Sequence, residues 1–178
     1  MNNMKSDNAK SDIIEFVSAI ITNKNGNPLV IKRLDTLKLD PGKFDMCSGH
    51  MKKGECPMQS MYRELLEEIG LTQDDIKYMQ HLGDIQTPHP KFPNTKTHIY
   101  HVLIELEIEE INKRIKETKD REMDYALYLE NVDALRRMQQ ETNLIRTKYT
   151  EETGKIYQLL EQKLQDRKEL RESKCEEK

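Results

Sequence analysis

Apolar positions along the chain follow first a strand-like and then a helix-like spacing. In DIIEFVSAIITNKNGNPLVIKRL, residues 12–34, two Ile/Val-rich runs flank Asn25-Gly26-Asn27, which reads as a β-hairpin whose turn residues accept positive φ. DTLKLDPGK then reads as a loop, and FDMCSGHM as a short strand running into Gly49. Pro57 sits where a first-turn proline belongs, predicting a helix from about Cys56 to Ile69 that Gly70 ends. Within it Tyr62, Leu65, Leu66 and Ile69 recur at i, i+3, i+4, i+7 and are expected to face the core. IKYMQHLGDIQT predicts a strand, PHPKFPN a proline-stiffened loop, TKTHIYHVLIELEI a longer strand and MDYALYLE a last one. NVDALRRMQQ follows as a helix with Asn131 as its N-cap. Beyond Thr150, Ile156, Leu159, Leu160 and Leu164 repeat at helical spacing and predict a C-terminal helix. Strands lead, helices are interspersed and no regular βαβ repeat occurs, so the class is α+β with a mixed sheet.

Composition narrows the reading. The chain is 34% charged and 35% hydrophobic, and its ends, MNNMKSDNAK and RKELRESKCEEK, are almost wholly polar. A net charge of −3 with interspersed signs argues against a general nucleic-acid binder, whose footprint is a basic stripe. The apolar runs are too short to span a bilayer, and the N-terminus lacks a signal-peptide layout, so a cytoplasmic protein is expected. Cys47, Cys56 and Cys175 form no CxxC pair, as expected of packing thiols in a reducing compartment. The five histidines have no HxxxH spacing on a helical pattern, and zinc is not expected.

One stretch does not fit a purely structural reading. GHMKKGECPMQSMYRELLEEIGL, residues 49–71, puts Glu64, Glu67 and Glu68 at i, i+3, i+4 on one helix face, where like charges repel by a few tenths of a kcal/mol per pair. A hard divalent cation would offset that repulsion, since Mg²⁺ takes carboxylate oxygens and keeps positions for water and phosphate. Glu55 and Arg63 can pair across the start of the helix and orient the glutamates. At Gly49 the backbone can pass close to an ion and offer its carbonyl as a further ligand.

The stretch matches G(5x)E(7x)REUxEExGU at Gly49, Glu55, Arg63, Glu64, Leu65, Glu67, Glu68, Gly70 and Leu71. Its seven fixed residues, at ordinary usage, coincide by chance about 10⁻⁸ of the time per starting point. The chain thus resembles the Nudix hydrolases, which cleave a nucleoside diphosphate linked to another moiety. The resemblance implies an α/β/α sandwich with a mixed β-sheet. It implies Mg²⁺ or Mn²⁺ bound by Glu64, Glu67, Glu68 and the Gly49 carbonyl, with Glu55 and Arg63 in support. The expected layout is a flexible tail over 1–11, the hydrolase domain over 12–142, a helical extension over 143–170 and a second tail over 171–178. Glu64 and Glu68 are the box candidates for catalysis. Glu64 is favoured as base, with Glu122, just before the last strand, as the outside candidate.

Two alternatives stay open. FDMCSGHM is similar to the approach to Gly-His in type I isopentenyl-diphosphate isomerases, where a Cys immediately precedes the Gly-His. Here Ser48 holds that position, and Cys47 is displaced by one residue, onto the strand's other face as a packing thiol. The second alternative is a silent binder of a diphosphate ligand, whose signature would be lost box glutamates; none is lost. A small-molecule diphosphate substrate is expected, with contacts from His50, Lys91 and Phe92 near the stretch QTPHPKFPNTKTHIYH, where Pro88, His89, Lys96 and Tyr100 also lie. A homodimer is left open.

Overall fold

The computed structural model describes residues 13–86, 94–119, 121–146 and 150–176. Lys91 and Phe92, with Pro88 and His89, lie outside them. Among the described residues seven strands form two sheets: β1 (Ile14–Thr22), β2 (Leu29–Arg33), β3 (Phe44–Asp45), β4 (Cys47–His50), β5 (Ile76–Ile85), β6 (Thr95–Ile104) and β7 (Met123–Tyr128). The helices are α1 (Pro57–Ile69), α2 (Ile108–Glu117), α3 (Val132–Glu141) and α4 (Glu151–Glu176). A four-stranded sheet runs β4-β1-β6-β5 and a three-stranded sheet β3-β2-β7. β1 pairs antiparallel with β4 and parallel with β6, so the larger sheet is mixed, as expected.

Because side chains alternate across a strand, the larger sheet has two unlike faces. Val17, Ala19 and Ile21 of β1, with Val102 and Ile104 of β6, pack against Met61, Leu65 and Ile69 of α1 and Ile111 and Ile115 of α2. Ile20 and Ile99 turn the other way, onto Leu135 of α3 and Ile156, Tyr157 and Leu160 of α4. Helices therefore cover both faces of the sheet, the α/β/α sandwich. Each fully buried aliphatic side chain contributes roughly 1.5–3 kcal/mol.

Three local expectations are corrected. The runs around Gly26 do form a turn, with Gly26 N–H bonded to the Asn23 carbonyl, but only the Thr22–Pro28 bridge links them before β1 and β2 enter different sheets. FDMCSGHM is likewise two strands, β3 and β4, parted at Met46. In the stretch read as a single long strand, β6 ends at Ile104 and α2 begins at Ile108, its Ile111 and Ile115 fully buried.

Helix α1 keeps its expected ends: Cys56 is the N-cap and Gly70 closes it in the left-handed region at φ 70°. A side chain at Gly70 would also press on Arg114 of α2, whose Cβ lies 2.9 Å from where a Cβ would stand. The buried stripe, however, is Met61, Leu65 and Ile69, while Leu66 is 52% exposed. Glu64 is buried in its place, at 8% exposure. A carboxylate with partners can take a buried position that periodicity assigns to leucine.

Candidate active site

Strand β4 and helix α1 meet where Glu64 lies over Gly49. A Cβ built on Gly49 would stand 2.0 Å from the Glu64 carboxyl carbon, so only glycine admits the carboxylate there. The sequence signal for glycine is thus met by steric room. Arg63 organises what surrounds it. Its Nε and Nη2 donate to the two Glu55 oxygens at 2.7 and 2.9 Å, a bidentate pair. Nη1 donates to Glu64 and, at 2.9 Å, to Glu67; Nη2 also reaches the His50 carbonyl and the Ser60 hydroxyl, both at 3.0 Å. Arg63 therefore ties the loop after β4 to the helix, as the sequence suggested for it and Glu55.

The incoming loop adds partners that motif reading did not single out. Glu55 accepts the Lys52 amide at 2.9 Å, and Lys52 Nζ lies 3.3 Å from Glu67. Glu68 sits one turn along, where its carboxylate accepts the Ser48 amide at 3.1 Å. Cys47 lies two residues before Gly49 and so shares its face, not the opposite one. Its thiol hydrogen-bonds to Glu68. The one-residue displacement thus turns Ser48 away from α1 and brings Cys47 under it.

These contacts set the electrostatics. Hydrogen bonds from Arg63 hold Glu55 down at about 2, and Glu55 in turn raises Arg63. Burial raises Glu64 against the opposing pull of Arg63. Burial also pushes Glu68 up to about 8, with the charges of Asp45 and Glu64 adding to it. The Cys47 thiol is raised well above its ordinary range, by burial first and the Glu68 charge second. It is a packed thiol, not a ready nucleophile. In all, three carboxylates of the box, Glu55, Glu64 and Glu67, pair with two cationic side chains, Arg63 and Lys52, while Glu68 is held by the Ser48 amide.

A family model described as the NUDIX domain matches residues 15–134. The chain belongs to the NUDIX family. An RNA pyrophosphohydrolase of Tolumonas auensis is 40% identical over 60 residues, which is 34% of this chain and 32% of that protein. The NUDIX chain thus matches about a third of the length of such relatives. The NUDIX hydrolase structure from Nitrosomonas europaea aligns with a TM-score of 0.60 at 17% identity, over 83% of this chain and 90% of its own. The crystal structure of DR0079 from Deinococcus radiodurans gives 0.59 at 15% identity, over 90% and 89%. Both likenesses establish the NUDIX fold.

The remaining candidates fall around this NUDIX box. His50 is exposed at the end of β4, its ring edge-on to Phe16 at 5.5 Å. Glu122 is 57% exposed just before β7, 3.6 Å from Arg33. Among the described residues no hydrogen bond or ion pair joins it to the box glutamates. Lys96 and Tyr100 lie on β6, two strands from Gly49.

Proposed function

We propose that the chain hydrolyses a diphosphate linkage in a nucleoside diphosphate joined to another moiety, using Mg²⁺ or Mn²⁺. The observation that carries this reading is the Glu64 carboxylate lodged against Gly49, with Glu55, Glu67 and Glu68 beside it and Arg63 and Lys52 as the cationic partners among the described residues. The donor set is wholly oxygen and leaves net negative charge, which suits a hard divalent cation. Glu64, Glu67, Glu68 and the Gly49 carbonyl would hold it. Bound there, the cation would neutralise phosphate charge and acidify water.

The chain's own groups divide the rest of the work. Glu64 stands as base for the attacking water, its pKa raised by burial toward a useful range. Arg63 fixes Glu64 and Glu67, and Glu55 fixes Arg63, so the carboxylates are oriented before substrate arrives. Glu68 is steadied by the Ser48 amide. Glu122 stays the second candidate for the base. No helix among the described residues is long and apolar enough to cross a membrane. The buried free thiol of Cys47 accords with a reducing, cytoplasmic setting.

The relatives named RNA pyrophosphohydrolase favour a narrower reading in which the linkage is at the end of an RNA. A panel of nucleotides, nucleotide sugars and a 5′-polyphosphorylated RNA oligonucleotide, assayed with Mg²⁺, Mn²⁺ or excess EDTA, tests both. Metal-dependent release of phosphate or pyrophosphate is expected, with Glu68→Gln inactive but folded. Full turnover in excess chelator, or in Glu68→Gln, would sink the proposal.

A further inference from the structure

Away from the box, β5 and β6 assemble a second group of ligand-bearing side chains. His81, Asp84 and His98 present ligand atoms that all lie within 4.8 Å of one another. A regular strand would turn residues three apart to opposite faces. Here the register shifts between His81 and Gly83, so His81 stands opposite Tyr100 and Asp84 opposite His98. The bulge re-aims both side chains to one face. That face is the one α1 covers, because His98 alternates with Tyr100 and Val102 of the core. Asp84, His98, Val17 and Gly49 form one row across the sheet. At the usual spacing between strands, His98 is about 10 Å from Gly49.

The hydrogen bonding within the group leaves one ring nitrogen of His98 to be served by a proton or by a metal ion. Asp84 Oδ1 is 2.8 Å from His81 Nε2 and 2.7 Å from His98 Nδ1. His98 Nε2 is 3.2 Å from Glu15 Oε1, so this ring has a carboxylate oxygen at each nitrogen. A neutral imidazole carries one N–H and can satisfy only one of them. Either a second proton or a metal ion must serve the other. The surroundings favour the metal. Glu15 accepting the Nε2 proton would leave the Nδ1 lone pair for a cation, the carboxylate–histidine–metal arrangement. Lys96 holds Asp84 Oδ2 at 2.9 Å and leaves Oδ1 to act as a single-oxygen ligand. His98 is 6% exposed and cannot turn out to water, whereas His81 and Asp84 are open to solvent and give an ion its approach. Two carboxylates, Glu15 and Asp84, face the one ammonium of Lys96.

We propose that His81 Nε2, His98 Nδ1 and Asp84 Oδ1 bind a zinc-type divalent ion, separate from the cation of the box. Two imidazoles and one carboxylate select a borderline-soft metal over Mg²⁺. Three protein ligands leave a fourth position for water or an anionic oxygen. The spacing is invisible to helical zinc motifs because it arises from a strand bulge and a neighbouring strand.

Zinc binding by the full chain in excess Mg²⁺, which occupies the oxygen site, tests this without reference to hydrolysis. Calorimetric titration and elemental analysis should find one zinc per chain, and Co²⁺ in its place should give the visible absorption of a nitrogen-ligated ion. His81→Ala and the near-isosteric Asp84→Asn should each weaken zinc at least about tenfold while leaving the metal-free melting curve unchanged. A chain that takes up no zinc under these conditions overturns the proposal. So does an unchanged affinity in both variants.

Discussion

On the α1 face of the four-stranded sheet, Glu55, Glu64 and Glu67 share Arg63 and Lys52 while the Ser48 amide holds Glu68; on the α3/α4 face the same strands bury Ile20 and Ile99, together with His101 bonded to Thr22 at 2.8 Å. The first face gathers like charge that the chain alone does not fully offset. The second is apolar packing closed by Tyr157 and Leu160 of α4. Both sides of the sheet carry a core, but the box carboxylates lie on one side only, so substitutions at the box and in the α4 packing should fail in different ways.

The largest effect should come from the packed side. Leu160 is fully buried, and Leu160→Ala should cost about 2–5 kcal/mol of unfolding free energy through lost packing and the cavity left behind. Turnover per folded molecule should be unchanged. Denaturant unfolding beside initial rates measures both, and a folded but inactive Leu160→Ala protein would break the division. Gly49→Ala should invert the pattern. Its new methyl would displace the Glu64 carboxylate, lowering turnover roughly 100-fold, the cost of about 1 Å of misplacement, with a smaller change in stability. Unaltered rates would show that Glu64 need not sit on the glycine.

The smallest effect is a pH slope. Burial lowers His101 from 6.5 to about 4, helped by the positive charges of Arg167 and Lys163. Below pH 6.5 the unfolded chain takes up a proton that the native state refuses, so this contribution to stability is present at neutral pH and is lost as pH falls toward 4. The loss should be about 2 kcal/mol by about pH 5. His101→Gln should flatten the slope in urea titrations across that range. A slope equally steep in the variant would overturn the assignment to His101.

How much of this is legible in the sequence differs by residue. The box helix is readable at its ends because Pro57 and Gly70 act through backbone chemistry that needs no tertiary context. Its buried stripe is not, since periodicity cannot register that Arg63 makes burial of Glu64 tolerable and leaves Leu66 outside. Helix α2 is masked because Leu106 and Ile108 alternate with Glu105, Glu107 and Glu109, a strand-like period that carries the pattern of β6 past its end. Glu55 and Arg63 can be paired on paper because eight residues separate them across the start of one helix. The Glu15–His98 and Asp84–His98 contacts cannot, because strand order and a bulge create them.

The parallel pairing of β1 with β6 also sets an order of events. Ile14 stands beside Thr95 and Thr22 beside Leu103, so β1 waits for a partner made much later in synthesis. Parallel, non-local pairing is slow to form and exposes strand edges meanwhile. The whole box, residues 49–71, emerges before β6, yet the sheet beneath α1 stays unfinished until β6 docks. A ribosome-bound fragment ending before Thr95 should therefore contain the motif without a formed cradle for it, so that the box corner matures late although its residues are made early.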